Sequence, residues 1–301
     1  MKVAVFGSSG FLGSNLSFFL GKKAGLELVG ISRTQTRFFP DFVEYKDLES
    51  LERDLQTLDP KVLINCAAMT SHEMASSNPE SARQVNSILA GDIAGVASRL
   101  GIRFCQISTD AVYSGTSAEL NKEEDSLEPQ TAYGISKLLG EQLVADACPD
   151  ALVIRTNFFG WSRDGQVGVL DFFYNRLSNA EETVGFADYR VSSLYVGDLA
   201  DVLNDLLVNS VSGVFNVSAR EPISKYEFGV AVAETFGLDT TRINVGSILN
   251  DSNVSARGLD LGLETGKVAT ALGRAMPSTL EGIQKAKKDQ EQVFTWFGRK
   301  T

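Results

Sequence analysis

The sequence predicts an α/β fold, a doubly wound parallel sheet with a smaller, mostly helical C-terminal lobe. Three observations carry this reading. The chain begins on a short apolar run ending in glycine, "KVAVFG" over 2–7, the pattern of a strand buried on both faces. Strand-like runs then alternate with helix-like segments as far as about residue 160, and right-handed crossovers turn such an alternation into a sheet with helices on both sides. Beyond 160 the alternation loosens.

The elements follow in order. "FLGSNLSFFLGKK" (11–23) reads as the first helix, "LELVGIS" (26–32) as the second strand and "FVEYKDL" (42–48) as the third. "LESLERDLQTL" (48–58) is helical, and "KVLINCAA" (61–68) is a strong fourth strand. After a polar loop, Asn78 and Pro79 supply the cap and first position of a helix running to about Leu100. "IRFCQIS" (102–108) is the fifth strand, the helix opening "AYGISKLLGE" (132–141) follows, and "ALVIRTN" (151–157) is the sixth strand. "VGDLADVLNDLL" (196–207) and "GVFNVSA" (213–219) add one more helix and strand to the sheet. "SKYEFGVAVAETFGL" (224–238), "GLETGKVATALG" (262–273) and "LEGIQKAKKDQEQVF" (280–294) form the lobe. The expected division is a sheet domain of 1–160, with about 186–218 returning to it, and a lobe of about 161–185 and 219–301.

The 301 residues are 43% hydrophobic and 22% charged, with a net charge of −10, an ordinary balance for a soluble globular protein. An acidic surface does not attract nucleic acid or anionic membrane, so neither is an expected partner. No apolar run approaches the ~18 residues of a membrane span, and the N-terminus passes from one lysine into a strand without the layout of a secretory signal. The three cysteines, Cys66, Cys105 and Cys148, lie in or near apolar stretches without metal-ligand spacing, as reduced thiols do. A cytoplasmic location and no bound metal are the expectations.

Ligands in open α/β sheets sit beyond the carboxyl ends of the strands, and the chemistry-bearing residues here fall at such ends. "GSSGFLG" puts Gly7, Gly10 and Gly13 between the first strand and its helix. The first glycine permits a tight turn, the second lets a pyrophosphate approach, and the third lets helix and strand pack closely. The helix start at Phe11 and Leu12 offers NH groups to phosphate. This is the dinucleotide-binding pattern of a Rossmann sheet. The second strand ends "GISRT", with Arg33 and no carboxylate. A carboxylate would bind a ribose 2′-hydroxyl, whereas Arg33 suits a 2′-phosphate. NADPH is therefore the expected cofactor and NADH the alternative. On the helix after the fifth strand, Tyr133 and Lys137 stand one turn apart on one face. The ammonium is expected to lower the phenol pKa and fit it for proton exchange with a substrate oxygen.

"GSSGFLG", "INCAAMTSHE", "STDAVYSG", "PQTAYGISKLLGE", "IRTNFFGW", "YVGDLA" and "ARGLDLGLET" together resemble the extended short-chain dehydrogenase/reductases. Within them the chain looks most like the dTDP-4-dehydrorhamnose reductase branch of sugar-nucleotide reductases. The resemblance implies a catalytic trio: Thr109, four residues before the tyrosine of "VY"; Tyr133 as proton donor; and Lys137, holding the cofactor ribose and lowering the Tyr133 pKa. It implies cofactor contacts from Asp47 and Leu48 on the adenine side and from Ala67 and Ala68 beside the ribose and nicotinamide, with Asn86 in support. His72, Ala111, Asn157, Phe158 and Arg257 are the substrate-side candidates, and Asp110 either orients substrate or folds its loop. The implied activity is NADPH-dependent reduction of the 4-keto group of a nucleotide-activated deoxysugar. The helices at 79–100 and 132–147 are candidates for pairing in a homodimer.

Several positions depart from the branch. Ala111 follows "STD" where the branch carries an aromatic residue, and Phe158 stands where it has tryptophan. "ARG" at 256–258 replaces Ala-Arg-Pro, "VSS" at 191–193 lacks a proline, and Ser14 and Asn15 occupy the early position of glutamates that hold a metal in some members. The reductase chemistry survives these changes; the sugar specificity does not. Two other functions share the scaffold. One is a nucleotide-sugar epimerase or dehydratase: dehydratases place Asp-Glu after the threonine, where this chain has Asp110-Ala111, which counts against elimination and less against epimerisation. A non-catalytic NADP-binding regulatory subunit is expected to lose the trio that this chain keeps.

Overall fold

A computed structural model describes residues 1–116, 119–166, 168–250 and 258–299. The first half runs β1 (Lys2–Phe6), α1 (Phe11–Leu20), β2 (Glu27–Ser32), β3 (Asp41–Glu44), α2 (Leu48–Leu58), β4 (Val62–Asn65), α3 (His72–Ser77), α4 (Pro79–Arg83), α5 (Leu89–Arg99), β5 (Arg103–Ile107), α6 (Ala132–Ala147) and β6 (Leu152–Arg155). Then come β7 (Asn157–Phe159), α7 (Val169–Ser178), β8 (Thr183–Phe186), β9 (Arg190–Val191), β10 (Ser193–Tyr195), α8 (Val196–Val208), β11 (Gly213–Asn216), β12 (Ile223–Ser224), α9 (Lys225–Phe236), β13 (Ile243–Gly246), β14 (Asp260–Leu261), α10 (Gly266–Leu272) and α11 (Thr279–Phe297). Seven strands form one sheet in the order β3-β2-β1-β4-β5-β6-β11, with every pair parallel. The order reverses between β1 and β4, the crevice where dinucleotides bind in doubly wound sheets.

Strand period explains the two cores. Along β1, Val3 and Val5 face one apolar layer with Leu16, Leu199 and Ile283, while Ala4 and Phe6 face the other with Leu51, Ile93 and Val144. Successive side chains of a strand point to opposite faces, so helices must cover both. A third, smaller core gathers Tyr113, Tyr189, Val191, Leu261 and Leu263.

The structure departs from the sequence expectations where side chains cap or redirect the backbone. The third strand stops at Glu44, because the Asp47 carboxylate accepts the Ser50 NH at 2.7 Å and starts α2 at Leu48. His72, expected in a loop, opens α3 behind a Ser71 cap. The helix begun by Asn78 and Pro79 is interrupted by a π-helical turn at Gln84–Ile88. The sixth strand ends at Arg155, and β7 leaves the sheet to pair with β10. The lobe elements include strands as well as helices: β8 pairs with β13, and β12 and β14 join β9, which lies in the span expected to return to the sheet. Within the chain the helical segments at 79–100 and 132–147 pack on each other, and Ser87 donates to the Ser136 carbonyl at 2.7 Å.

Candidate active site

The glycine turn is built by a close approach. Gly7 has φ +82°, and a Cβ there would lie 2.6 Å from the Ala67 nitrogen, so only glycine lets the β1 turn and the segment after β4 meet. The Gly7 NH donates to the Ile31 carbonyl at 2.8 Å, fixing the turn to the end of β2. Gly10 caps α1 in an extended conformation without a side-chain acceptor. The amides at Phe11, Leu12 and Gly13 therefore open the helix with the positive end of its dipole. Arg33 is exposed just past β2, and Asp47 and Leu48 sit just past β3. The Asp47 carboxyl is held below the usual range by the Ser50 amide and hydroxyl. Ala67 and Ala68 follow β4, and the Ala67 NH donates to Asn65 at 3.1 Å.

Asn86, on the π-helical turn, holds that segment. Its carbonyl oxygen accepts the Met69 NH at 2.8 Å, and its amide donates to the Met69 carbonyl at 3.1 Å and to the Ser136 hydroxyl at 2.9 Å. One buried side chain thus joins the β4 loop to α6.

Thr109, Tyr133 and Lys137 converge at the ends of β5 and β4. Thr109 caps a single 3₁₀ turn over Asp110–Val112, accepting the Ala111 NH at 3.2 Å. Thr131 caps α6 through the Gly134 NH at 3.1 Å. Gly134 lies against the Ala111 carbonyl so closely that a Cβ would overlap it, which brings Tyr133 up to Thr109. The Lys137 ammonium, buried beneath, donates to the Ile107 carbonyl at 2.6 Å. Burial pushes the Tyr133 phenol up to about 12, Thr109 draws it the other way, and Asp110 adds to the rise. Burial brings Lys137 down to about 8, opposed by Glu141 and Cys66. The expectation that Lys137 lowers the phenol is thereby corrected. Desolvation outweighs charge at both groups, and the ammonium is turned toward a backbone carbonyl.

The substrate-side candidates fall into three groups. His72 stands edge-on to Tyr133 with ring centroids 4.9 Å apart, and with Ala111 it lines a small cavity shared with Tyr113, Gln130, Thr131, Tyr189, Gly258 and Leu261. Gln130, Thr131, Tyr189 and Leu261 were missed in sequence, and Tyr189, just before β9, and Leu261, on β14, are remote in the chain. Asn157 is engaged otherwise, donating to Asp110 at 2.8 Å and accepting the Ser193 hydroxyl at 2.5 Å. With Thr109 donating to Asp110 at 2.9 Å, both oxygens of that buried carboxylate brace the loop. Phe158 stacks on Phe11 of the glycine turn at 5.9 Å and 12°, joining cofactor and substrate sides. Arg257 lies outside the described residues; the chain just after it reaches the site, where Gly258 lines the same cavity. Ser14 and Asn15 are buried helix positions, Asn15 donating to the Trp161 carbonyl at 3.1 Å. Among the described residues no three His, Cys, Asp or Glu side chains gather as a metal site, and no helix is long and apolar enough to cross a membrane.

A glycine turn facing a Thr–Tyr–Lys cluster across one sheet edge is the layout of the dehydrogenase/reductase resemblance, and comparison with known proteins decides the family. The model of the RmlD substrate binding domain matches residues 1–290. The chain belongs to that family. It is accordingly an extended short-chain dehydrogenase/reductase, an oxidoreductase on a Rossmann sheet. Among its relatives, "Probable low-salt glycan biosynthesis reductase Agl14" of Haloferax volcanii is 32% identical over 93% of this chain and 95% of its own. A protein named dTDP-4-dehydrorhamnose reductase of Mycobacterium tuberculosis is 32% identical over 80% of this chain and 78% of its own. A solved structure of the same description from Clostridium acetobutylicum shares the fold, with a TM-score of 0.84 at 22% identity, covering 97% of this chain and 100% of that one.

Proposed function

We propose that this protein uses NADPH to reduce the 4-keto group of a nucleotide-activated deoxysugar. The observation that carries the reading is the convergence of Thr109, Tyr133 and Lys137 at the sheet edge that also holds the glycine turn. The residues fit a dinucleotide: Gly7 lets the β1 turn close against the Ala67 backbone, and the α1 amides are left open by Gly10. Phe11, Leu12 and Gly13 would hold the pyrophosphate and Arg33 the 2′-phosphate, with Asp47 and Leu48 at the adenine and Ala67 and Ala68 along the ribose and nicotinamide. NADH is the alternative where Arg33 contributes nothing. When bound, the nicotinamide supplies a hydride to the carbonyl carbon.

The chain's own groups manage the oxygen. Tyr133, kept protonated by burial, gives its proton to the carbonyl oxygen as negative charge develops there, and Thr109 turns its hydroxyl proton from Asp110 to the same oxygen. Lys137, still an ammonium below about pH 8, holds the cofactor ribose and offsets the charge left on Tyr133. Elimination of water, the dehydratase alternative, needs a second carboxylate where Ala111 stands. A purely regulatory NADP-binding role gives no reason for the assembled trio.

The test is NADPH oxidation with a panel of nucleotide-linked 4-keto sugars. With Ala111 and Phe158 replacing two larger aromatics, and the Phe158 ring stacked on Phe11, the dTDP-4-keto-L-rhamnose type is expected to be a weak substrate and another 4-keto sugar the best one. No oxidation with any member of the panel overturns the proposal. Best turnover of the rhamnose type overturns the specificity argument alone.

A further inference from the structure

The site has a buried acid that the reaction above does not use. Glu141 lies one turn beyond Lys137 on α6 and is 6% exposed. Its carboxylate accepts Arg155 from β6 at 2.8, 3.1 and 3.2 Å through two guanidinium nitrogens. It also accepts the Ser108 hydroxyl from the end of β5, the residue before Thr109. Arg155, 3% exposed, donates further to the Tyr113 hydroxyl at 2.8 Å and the Glu123 carbonyl at 3.1 Å. The two elements that deliver the trio, α6 and the end of β5, and the neighbouring strand β6 therefore meet on one carboxylate.

We propose that Glu141 is a positioning residue for the site: it sets Lys137 on its own helix, Ser108 beside Thr109, and Arg155 on β6 in one frame, and supplies the negative charge that Lys137 faces. The inference rests on the reading that Lys137 holds the cofactor. A bidentate buried pair is geometrically stiff, and a buried ion pair adds little net stability over an apolar substitute, so stability alone does not account for it. The charged and titratable groups around Lys137 are few. Tyr133 and Glu141 lie on its own helix, Cys66 at the end of β4, and Arg155 on β6 beyond Glu141; the charges acting on the ammonium are those of Glu141 and Cys66. Burial raises the Cys66 thiol well above its usual range, which leaves Glu141 as the anion that opposes the effect of burial on Lys137.

The experiment is NADPH binding, followed by nicotinamide fluorescence, as pH rises from about 7 to about 10, the span between neutral pH and the ordinary lysine value. In the unaltered protein affinity falls through about pH 8 as Lys137 loses its proton. Lys137→Met removes that fall. Glu141→Gln moves it down by about one pH unit, the effect of losing a close opposite charge, and Glu141→Asp restores part of the difference. If melting shows Glu141→Gln unfolded, the double variant Glu141→Gln with Arg155→Gln replaces the ion pair by amides, and the fall is again expected at lower pH. A fall that persists in Lys137→Met overturns the reading of Lys137 and this proposal with it. A fall lost in Lys137→Met but unmoved in the folded Glu141 variant overturns this proposal alone.

Discussion

Gly134→Ala isolates the geometry that brings Tyr133 to Thr109. A methyl group on Gly134 would overlap the Ala111 carbonyl oxygen and lie 2.9 Å from the Pro129 Cβ. The carbonyl belongs to the turn capped by Thr109, and Gly134 NH is itself the capping contact of α6. Neither side is a flexible side-chain end, so the start of α6 must recede from the turn by about 1 Å. Alanine gains about 1 kcal/mol of helix propensity over glycine, while overpacking costs about 1–3 kcal/mol. The net effect on stability is small, between about zero and 2 kcal/mol of loss. A displacement of about 1 Å at the reacting groups lowers turnover by about 10²-fold. The assay pairs thermal melting with NADPH oxidation on the best sugar of the panel. Gly95→Ala on α5 is the internal control: its Cβ would meet the Arg99 guanidinium at 3.6 Å and the Ala147 Cβ at 3.9 Å, ordinary contacts, so it should be neutral or stabilising with full activity. Unchanged turnover in Gly134→Ala would refute the close-approach argument.

Three further outcomes are expected. Tyr133→Phe keeps the ring beside His72, so the fold and NADPH binding persist while turnover drops by about 10²–10⁴, the contribution of a positioned general acid; full activity in that variant ends the reductase reading. Turnover declines on the alkaline side near pH 8: Lys137 is protonated below its depressed value of about 8 and neutral above it, whereas Tyr133, pushed up to about 12, keeps its proton throughout. A flat rate up to pH 10 contradicts that order. Arg33→Ala narrows the preference for NADPH over NADH by about tenfold, the worth of about 1.4 kcal/mol, measured by titration of both nucleotides; equal affinities in the unaltered protein refute the 2′-phosphate contact.

What was legible in the sequence is what depends on local spacing. The run of β1, the glycines after it and the one-turn interval of Tyr133 and Lys137 are short-range patterns, and each appears in the structure where the spacing puts it. What was not legible depends on distant residues meeting. The direction of the Tyr133 shift was expected to be downward and is upward, because an i,i+4 interval says that two groups are neighbours but not that both are shut away from water. Tyr189 and Leu261 reach the cavity only because β9 and β14 pair at Arg190 and Val191, strands too short for any period to announce. The π-helical turn around Asn86 shows the same limit. The segment has an unbroken helical start at Asn78 and Pro79, yet Asn86 serves Met69, 17 residues back, and Ser136, 50 residues on. Glu141 was in plain view in "SKLLGE", and nothing local distinguished it from a solvated helix glutamate. Its role emerges only when Ser108 and Arg155, 33 and 14 residues away, are carried to it by β5 and β6. The sheet order that sets those strands side by side is thus what turns a local Tyr–Lys pattern into a site with a defined charge state.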